Sequence, residues 1–243
     1  MSSIIENKNR IGNISSSNVY RLLKKEKDGK GFGKPAMEYI SELNIEREMG
    51  IYLGNETSAR PLDWGKHCEQ FAFDHISTEY IITSDITTAH PTLPFWVGSA
   101  DGYKEDTVFD LKCPMTRKSF FGLVAGDNIQ SMMMGFTRNQ FKYKAHTDAE
   151  KYYWQLVSNA IILGKKYAEL IVYMPYQSEL LTIKEAAKDF YNWIHYSADI
   201  ELPYLPDGGK FQNINIIRFE VPQTDIDLLT ECVTEASKHL ITP

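Results

Sequence analysis

The stretch "GSADGYKEDTVFDLKCP", residues 98–114, concentrates the groups with the clearest chemical use. Asp101 ends one extended run, and Asp110 and Lys112 lie two apart in the next. In the second run Phe109, Leu111 and Cys113 alternate with the two polar residues, because successive strand side chains point to opposite faces. A half-buried strand alternates in the same way with no chemical purpose, so Asp-x-Lys taken alone is weak. With Glu69 the set grows to three acids and a lysine. Carboxylates together with a backbone carbonyl, that of Leu111, make a hard oxygen set suited to Mg²⁺ or Mn²⁺. Such an ion polarises a phosphoryl oxygen and helps ionise a water, while Lys112 orients that water or offsets developing negative charge. The chemistry that asks for this pattern is phosphodiester hydrolysis.

These residues need elements to bring them together. "EYIITSDIT", "PFWVGSADGY" and "TVFDLKC" read as strands, and "KEDT" as the hairpin turn that sets Asp101 beside Asp110. "PLDWGKHCEQFAFDHIS" reads as a helix with Asp63 as N-cap, and its 3.6-residue period puts Glu69 on a face with Gly65, Ala72, Phe73 and Ile76. "HTDAEKYYWQLVSNAIILGKK" predicts a helix with a Thr147-x-x-Glu150 capping box and Gly164 at its end, and Tyr152 and Gln155 share one of its faces. Upstream, "RIGNISSSNVYRLLKK" predicts a helix starting near Ser16 or Ser17, "KEKDGKGFGKPA" a mobile loop, and "PAMEYISELNIERE" a second helix. "YAELIVYMPY" and "NINIIRFEVP" read as strands and residues 223–240 as a closing helix. "SMMMGF" reads as a loop or packed core.

The chain of 243 residues, 43% hydrophobic, is long enough to bury a full core. Its formal net charge of -6 argues against holding nucleic acid by general attraction and leaves that task to local basic patches or bound ions. Two basic groups stand out, Arg21 to Lys34 and Arg138 to Lys144, each a backbone-tracking surface or a solvated face. Three scattered cysteines fit neither a zinc nor a disulfide framework and point to a reducing compartment. No apolar run reaches membrane-spanning length, and the N-terminal residues lack a signal-peptide pattern.

Five blocks, "RIGNISSSNV", "WGKHCEQ", "GSADGY", "DLKCP" and "YYWQ", in this order over roughly residues 10–175, resemble the lambda-exonuclease or YqaJ-like viral recombinase family of PD-(D/E)xK nucleases. The resemblance implies an α/β (α+β) fold with a restriction-endonuclease-like core, a central mixed β-sheet flanked by helices. It implies one exonuclease domain over residues 1–243 with a family-variable segment at about 178–210. It assigns metal binding to Asp101, Asp110 and the Leu111 carbonyl, support of a second metal or its waters to Glu69, and catalysis to Lys112. Gln155 would sit by the phosphate or water, and Tyr152 would flank the DNA end. Arg10 and Ser17 would hold a terminal 5′-phosphate. The ion is Mg²⁺ or Mn²⁺, the substrate the 5′-ended strand of linear double-stranded DNA, and the product a 3′ tail for a single-strand annealing protein. A homo-oligomer, in relatives a ring trimer, with no membrane association, in the bacterial cytoplasm and phage- or prophage-encoded, completes that expectation. Asp110 stands where the nearest phage relatives carry Glu, which the wider motif tolerates. Two alternatives stay open: an endonuclease or Cas4-like end-processing nuclease of the same fold, and a non-catalytic DNA-end-binding protein. The four cysteines of a Cas4-like iron-sulfur cluster are lacking.

Overall fold

The computed structural model describes residues 9–27, 29–54, 59–84 and 86–241. Its strands are β1 (Ile14–Ser15), β2 (Ile81–Ile82), β3 (Thr88–Ala89), β4 (Trp96–Gly98), β5 (Gly102–Lys104), β6 (Thr107–Lys112), β7 (Phe136–Arg138), β8 (Phe141–Tyr143), β9 (Tyr167–Tyr173) and β10 (Ile214–Glu220). Its α-helices are α1 (Lys34–Met49), α2 (Arg60–Ile76), α3 (Arg117–Val124), α4 (Ile129–Met134), α5 (Ala149–Leu163), α6 (Leu180–Ala186), α7 (Asn192–Tyr196) and α8 (Gln223–Ser237).

A mixed sheet of order β10-β9-β6-β5-β2 is built around β6, which pairs parallel with β9 and antiparallel with β5. Parallel neighbours need a crossover, and the chain supplies one in α3, α4, the β7–β8 hairpin and α5. Both faces of β6 are covered, which is why "VFDL" is buried throughout and not on alternate residues. Val108, Leu170 and Val172 pack with Leu156, Val157 and Ala160 of α5. Phe109, Leu111 and Cys113 pack on the other side with Trp64, Cys68 and Ala72 of α2 and Leu180 and Ile183 of α6. The result is a helix–sheet–helix sandwich of mixed α+β class. A smaller sheet, β1-β4-β3, carries Ile14 and Trp96 into the α5 side of the core.

Several local expectations are corrected. The run after the serines is a five-residue 3₁₀ turn, Val19–Leu23, with Asn18 as its N-cap. Ser15 is instead in a strand, and the Ser16 N–H donates to the Val97 carbonyl at 2.9 Å, so sheet pairing outcompetes helix initiation there. "KEKDGKGFGKPA" closes on itself through a Lys25–Phe32 bridge anchored by buried Phe32; Asp28 within it lies outside the described residues. α2 begins earlier than expected, with Ala59 as N-cap and Pro61 in its first turn, and Asp63 accepts from Trp193 Nε1 at 3.1 Å. The Thr147–Glu150 capping box does not form: Asp148 is the N-cap, and Glu150 is drawn to Lys24 at 2.6 Å. "PFWVGSADGY" splits between the two sheets at Ser99–Asp101. Of the two readings of "SMMMGF" the packed core holds at Met132, which is buried on a short helix, α4. Among the described residues no helix is long and apolar enough to cross a membrane.

Candidate active site

The β5–β6 hairpin turns on Glu105 and Asp106, and its register pairs Gly102 with Phe109 and Tyr103 with Val108. Continued by one residue, that register sets Asp101 opposite Asp110. Asp101 is locked there by its own Oδ2, which accepts the Leu111 N–H at 2.5 Å. Asp110 is buried, on the α5 side of the sheet. Its Oδ1 accepts from Gln155 Nε2 at 2.6 Å. Its Oδ2 forms an ion pair with Lys112 and accepts no well-directed hydrogen bond among the described residues. The Tyr152 ring lies 5.2 Å from Lys112 Nζ, so the shared face of Tyr152 and Gln155 is turned onto the strand. Glu69 is half-buried at the margin of the α2 stripe, near enough for its charge to act on Asp101.

Two acids and one lysine in a buried place leave a charge imbalance. Asp101 is pushed up to about 8, first by burial and then by the facing charge of Asp110, against the pull of Lys112 and the Leu111 N–H. Burial pulls the Lys112 ammonium down, but the carboxylates of Asp110 and Asp101 outweigh it and raise it above the ordinary lysine value. Lys112 is therefore a fixed cation. Among the described residues no group of three or more His, Cys, Asp or Glu forms a metal cluster. The oxygens brought together here are those of the Asp101–Asp110 pair, with the Leu111 backbone held to Asp101 through its N–H. A divalent cation fits this set on the grounds of charge: it would relieve the repulsion between the two carboxylates, which Lys112 alone only partly offsets.

A second group gathers beside this one. Arg10, Ser15, Ser16, Ser17, Ser99 and Gln155 meet at a cavity of about 20 Å³, room for roughly one water as it stands. Arg10 Nη2 donates to Ser99 Oγ at 2.7 Å, and Ser15 and Ser17 hydroxyls lie 3.3 Å apart. The backbone of Ser16 is committed to the β4 strand, and a five-residue 3₁₀ turn carries little dipole. No helix terminus is therefore offered here, and the Arg10 guanidinium and the serine hydroxyls are the side-chain donors that line the cavity. Sequence reasoning passes over Ser99, which positions Arg10, and His146, whose ring stacks on Tyr152 at 5.9 Å. It also passes over the Ser16–Ser158–Trp96 hydrogen-bond chain that ties the serine strand to α5. Single serines and a lone histidine give no spacing signal.

No family model matches this chain, and no curated protein matches it. Solved structures do. An alkaline exonuclease from Laribacter hongkongensis, LHK-Exo, superposes with a TM-score of 0.57 at 17% identity, covering 94% of this chain and 88% of its own. The same enzyme in complex with dAMP gives a TM-score of 0.55 over 95% and 89%. A phage-related exonuclease from Haemophilus somnus 129PT gives 0.59 at 14% identity over 93% and 92%. This chain has their fold. The match spans nearly all of both chains.

Proposed function

We propose that this protein is a metal-dependent exodeoxyribonuclease that removes nucleotides from the 5′-ended strand of linear double-stranded DNA, leaving 3′ tails for strand annealing. The observation that carries the reading is the convergence of Asp101, Lys112 and Gln155 on buried Asp110 through the β5–β6 register and the α5 face. A decayed site has no reason to keep two facing carboxylates in an apolar layer, because burying such charge is unfavourable.

Each side chain then has a task. Asp101, Asp110 and the Leu111 carbonyl would hold Mg²⁺ or Mn²⁺, with Glu69 acting on that ion's waters. When bound, the ion supplies Lewis-acid polarisation of the phosphoryl group and eases ionisation of the attacking water. Gln155 fixes the rotamer of Asp110 through its 2.6 Å bond. Lys112, held protonated, stabilises the negative charge that builds on the phosphoryl oxygens and is not a proton acceptor. Arg10, aided by Ser17 and Ser15, would grip a terminal 5′-phosphate, and Tyr152 would flank the DNA end. The dAMP in the LHK-Exo complex is the kind of mononucleotide such an enzyme would release. The family resemblance supports a homo-oligomer, a ring trimer in relatives, and an annealing protein as partner.

The deciding assay digests linear duplex labelled at either 5′ or 3′ ends, alongside nicked and closed circles, with Mg²⁺ or with EDTA. The reading expects early release of the 5′ label as mononucleotide, spared closed circles, and no release in EDTA or with Asp110→Ala. Internal cleavage of closed circles, or an active Asp110→Ala protein, would overturn it.

A further inference from the structure

Between β6 and α5 the chain makes an excursion that the acid–lysine site does not require. The β7–β8 hairpin turns on Asn139 and Gln140, both left-handed at φ 49° and 67°, as a two-residue I′ turn demands. Its cross-strand pair Phe136 and Tyr143 stack at 4.8 Å and 15°, and Phe121 of α3 lies 5.3 Å from the Tyr143 ring. All three rings are only half-buried. They line a groove of about 550 Å³ to which Lys118, Lys142 and Lys144, all exposed, also contribute.

The groove runs on toward the candidate active site. His146 forms part of its wall, meets Ser119 Oγ through Nε2 at 2.8 Å, and stacks on Tyr152, whose ring lies 5.2 Å from Lys112. Gly122 leaves space in this wall: a Cβ there would sit 3.2 Å from the His146 ring. The hairpin rings and His146 therefore share one groove, with lysines alongside, and His146 joins it to Tyr152 beside Lys112. Unpaired bases offer flat faces to such rings, whereas duplex bases hide theirs against one another. The lysines suit the phosphates of the same strand.

We propose that this groove binds single-stranded DNA, holding an unpaired stretch next to the acid–lysine site. Its position relative to the chemistry rests on the nuclease reading above; its ligand class rests on the rings and lysines themselves. A second copy docked groove to groove would oppose their lysines, and a copy docked head-to-tail is the outcome that sedimentation in the test below checks.

The test measures anisotropy of fluorescent dodecathymidylate and of a blunt hairpin duplex in EDTA, where no hydrolysis intrudes. Tyr143→Ala should weaken single-strand binding roughly tenfold, as loss of one stacking platform does, while Tyr143→Phe keeps it. Lys142→Ala/Lys144→Ala, changes at exposed positions that leave the core untouched, should weaken it and lower the salt slope by about 1.4, two single-strand phosphate contacts. In both cases the preference for single strand over blunt duplex falls. Unchanged affinity in both variants, equal loss on both DNAs, or a change only in oligomeric state by sedimentation would each overturn the proposal. Wild-type protein that binds the oligonucleotide in EDTA but cleaves nothing with Mg²⁺ would sink the nuclease reading and leave the groove standing.

Discussion

Asp101→Asn should make the metal-free protein more stable while abolishing its nuclease activity. The native carboxyl is pushed up to about 8 from an ordinary 3.8, burial and Asp110 being the chief causes. A carboxyl with a raised folded-state pKa holds its proton in the native chain after the unfolded chain has lost it, so stability falls as pH rises from about 4 to about 8 and then levels. Each unit is worth ~1.4 kcal/mol, which caps the penalty near ~6 kcal/mol. Joint titration with Asp110 and Lys112 shares that penalty out, and a gain of about 2–4 kcal/mol on neutralising Asp101 is the working expectation. The amide carbonyl of the variant can still accept the Leu111 N–H, so the hairpin lock survives. For a chain of this length the gain is a rise in Tm of roughly 5–15 °C at pH 9. Scanning calorimetry in EDTA at pH 4, 6 and 9 measures it: the two proteins should coincide at the lowest pH and diverge upward. Mg²⁺ should narrow the gap at pH 9 by stabilising only the wild type. An Asp101→Asn protein no more stable than wild type at pH 9 would refute the carboxylate-repulsion argument and with it the reason for a cation between these two acids.

Three further outcomes follow from named contacts. Lys112→Met strips the ion-pair partner from buried Asp110; it should lower the rate by about 10²-fold or more and destabilise the fold by ~3 kcal/mol, and adding Asp110→Asn should restore stability but not activity, as denaturant titration and single-turnover digestion will show. Arg10→Ala removes the cation of the serine-lined cavity and should lose ~1.5–3 kcal/mol on 5′-phosphorylated ends and much less on 5′-hydroxyl ends; an unchanged ratio of the two rates would remove Arg10 as the phosphate anchor. Gly98→Ala places a methyl 2.4 Å from Asn159 Oδ1 and 2.6 Å from Ser16 Oγ, and should destabilise the protein by about 1–3 kcal/mol in urea titration, a neutral result showing that these groups have room to shift.

The sequence discloses those parts of the site that depend on period and register, and withholds those that depend on competition between partners. Asp101 and Asp110 fall together because a hairpin with a two-residue turn admits one pairing, and a slip by one would turn Phe109 and Leu111 out of the α2 core. Tyr152 and Gln155 fall together because a helix repeats every 3.6 residues. The Ser16 turn, by contrast, is decided by β4, some eighty residues away, whose carbonyls take the N–H groups a helix start would leave free. Glu150 has two suitors, the N-cap backbone and Lys24, and tertiary proximity chooses the lysine. The same choice changes the reading of the basic groups. Arg21 and Lys24 are taken by Glu42 and Glu150, so the N-terminal group is partly neutralised from within. Lys142 and Lys144 remain exposed on and beside a hairpin that turns on Asn-Gln, a pair with no glycine to announce a turn. Charge counted along the linear chain therefore overstates both groups, since Arg138 of the second is likewise paired, with Asp127, while Lys142 and Lys144 lie exposed at the groove whose His146 stacks on Tyr152 beside Lys112.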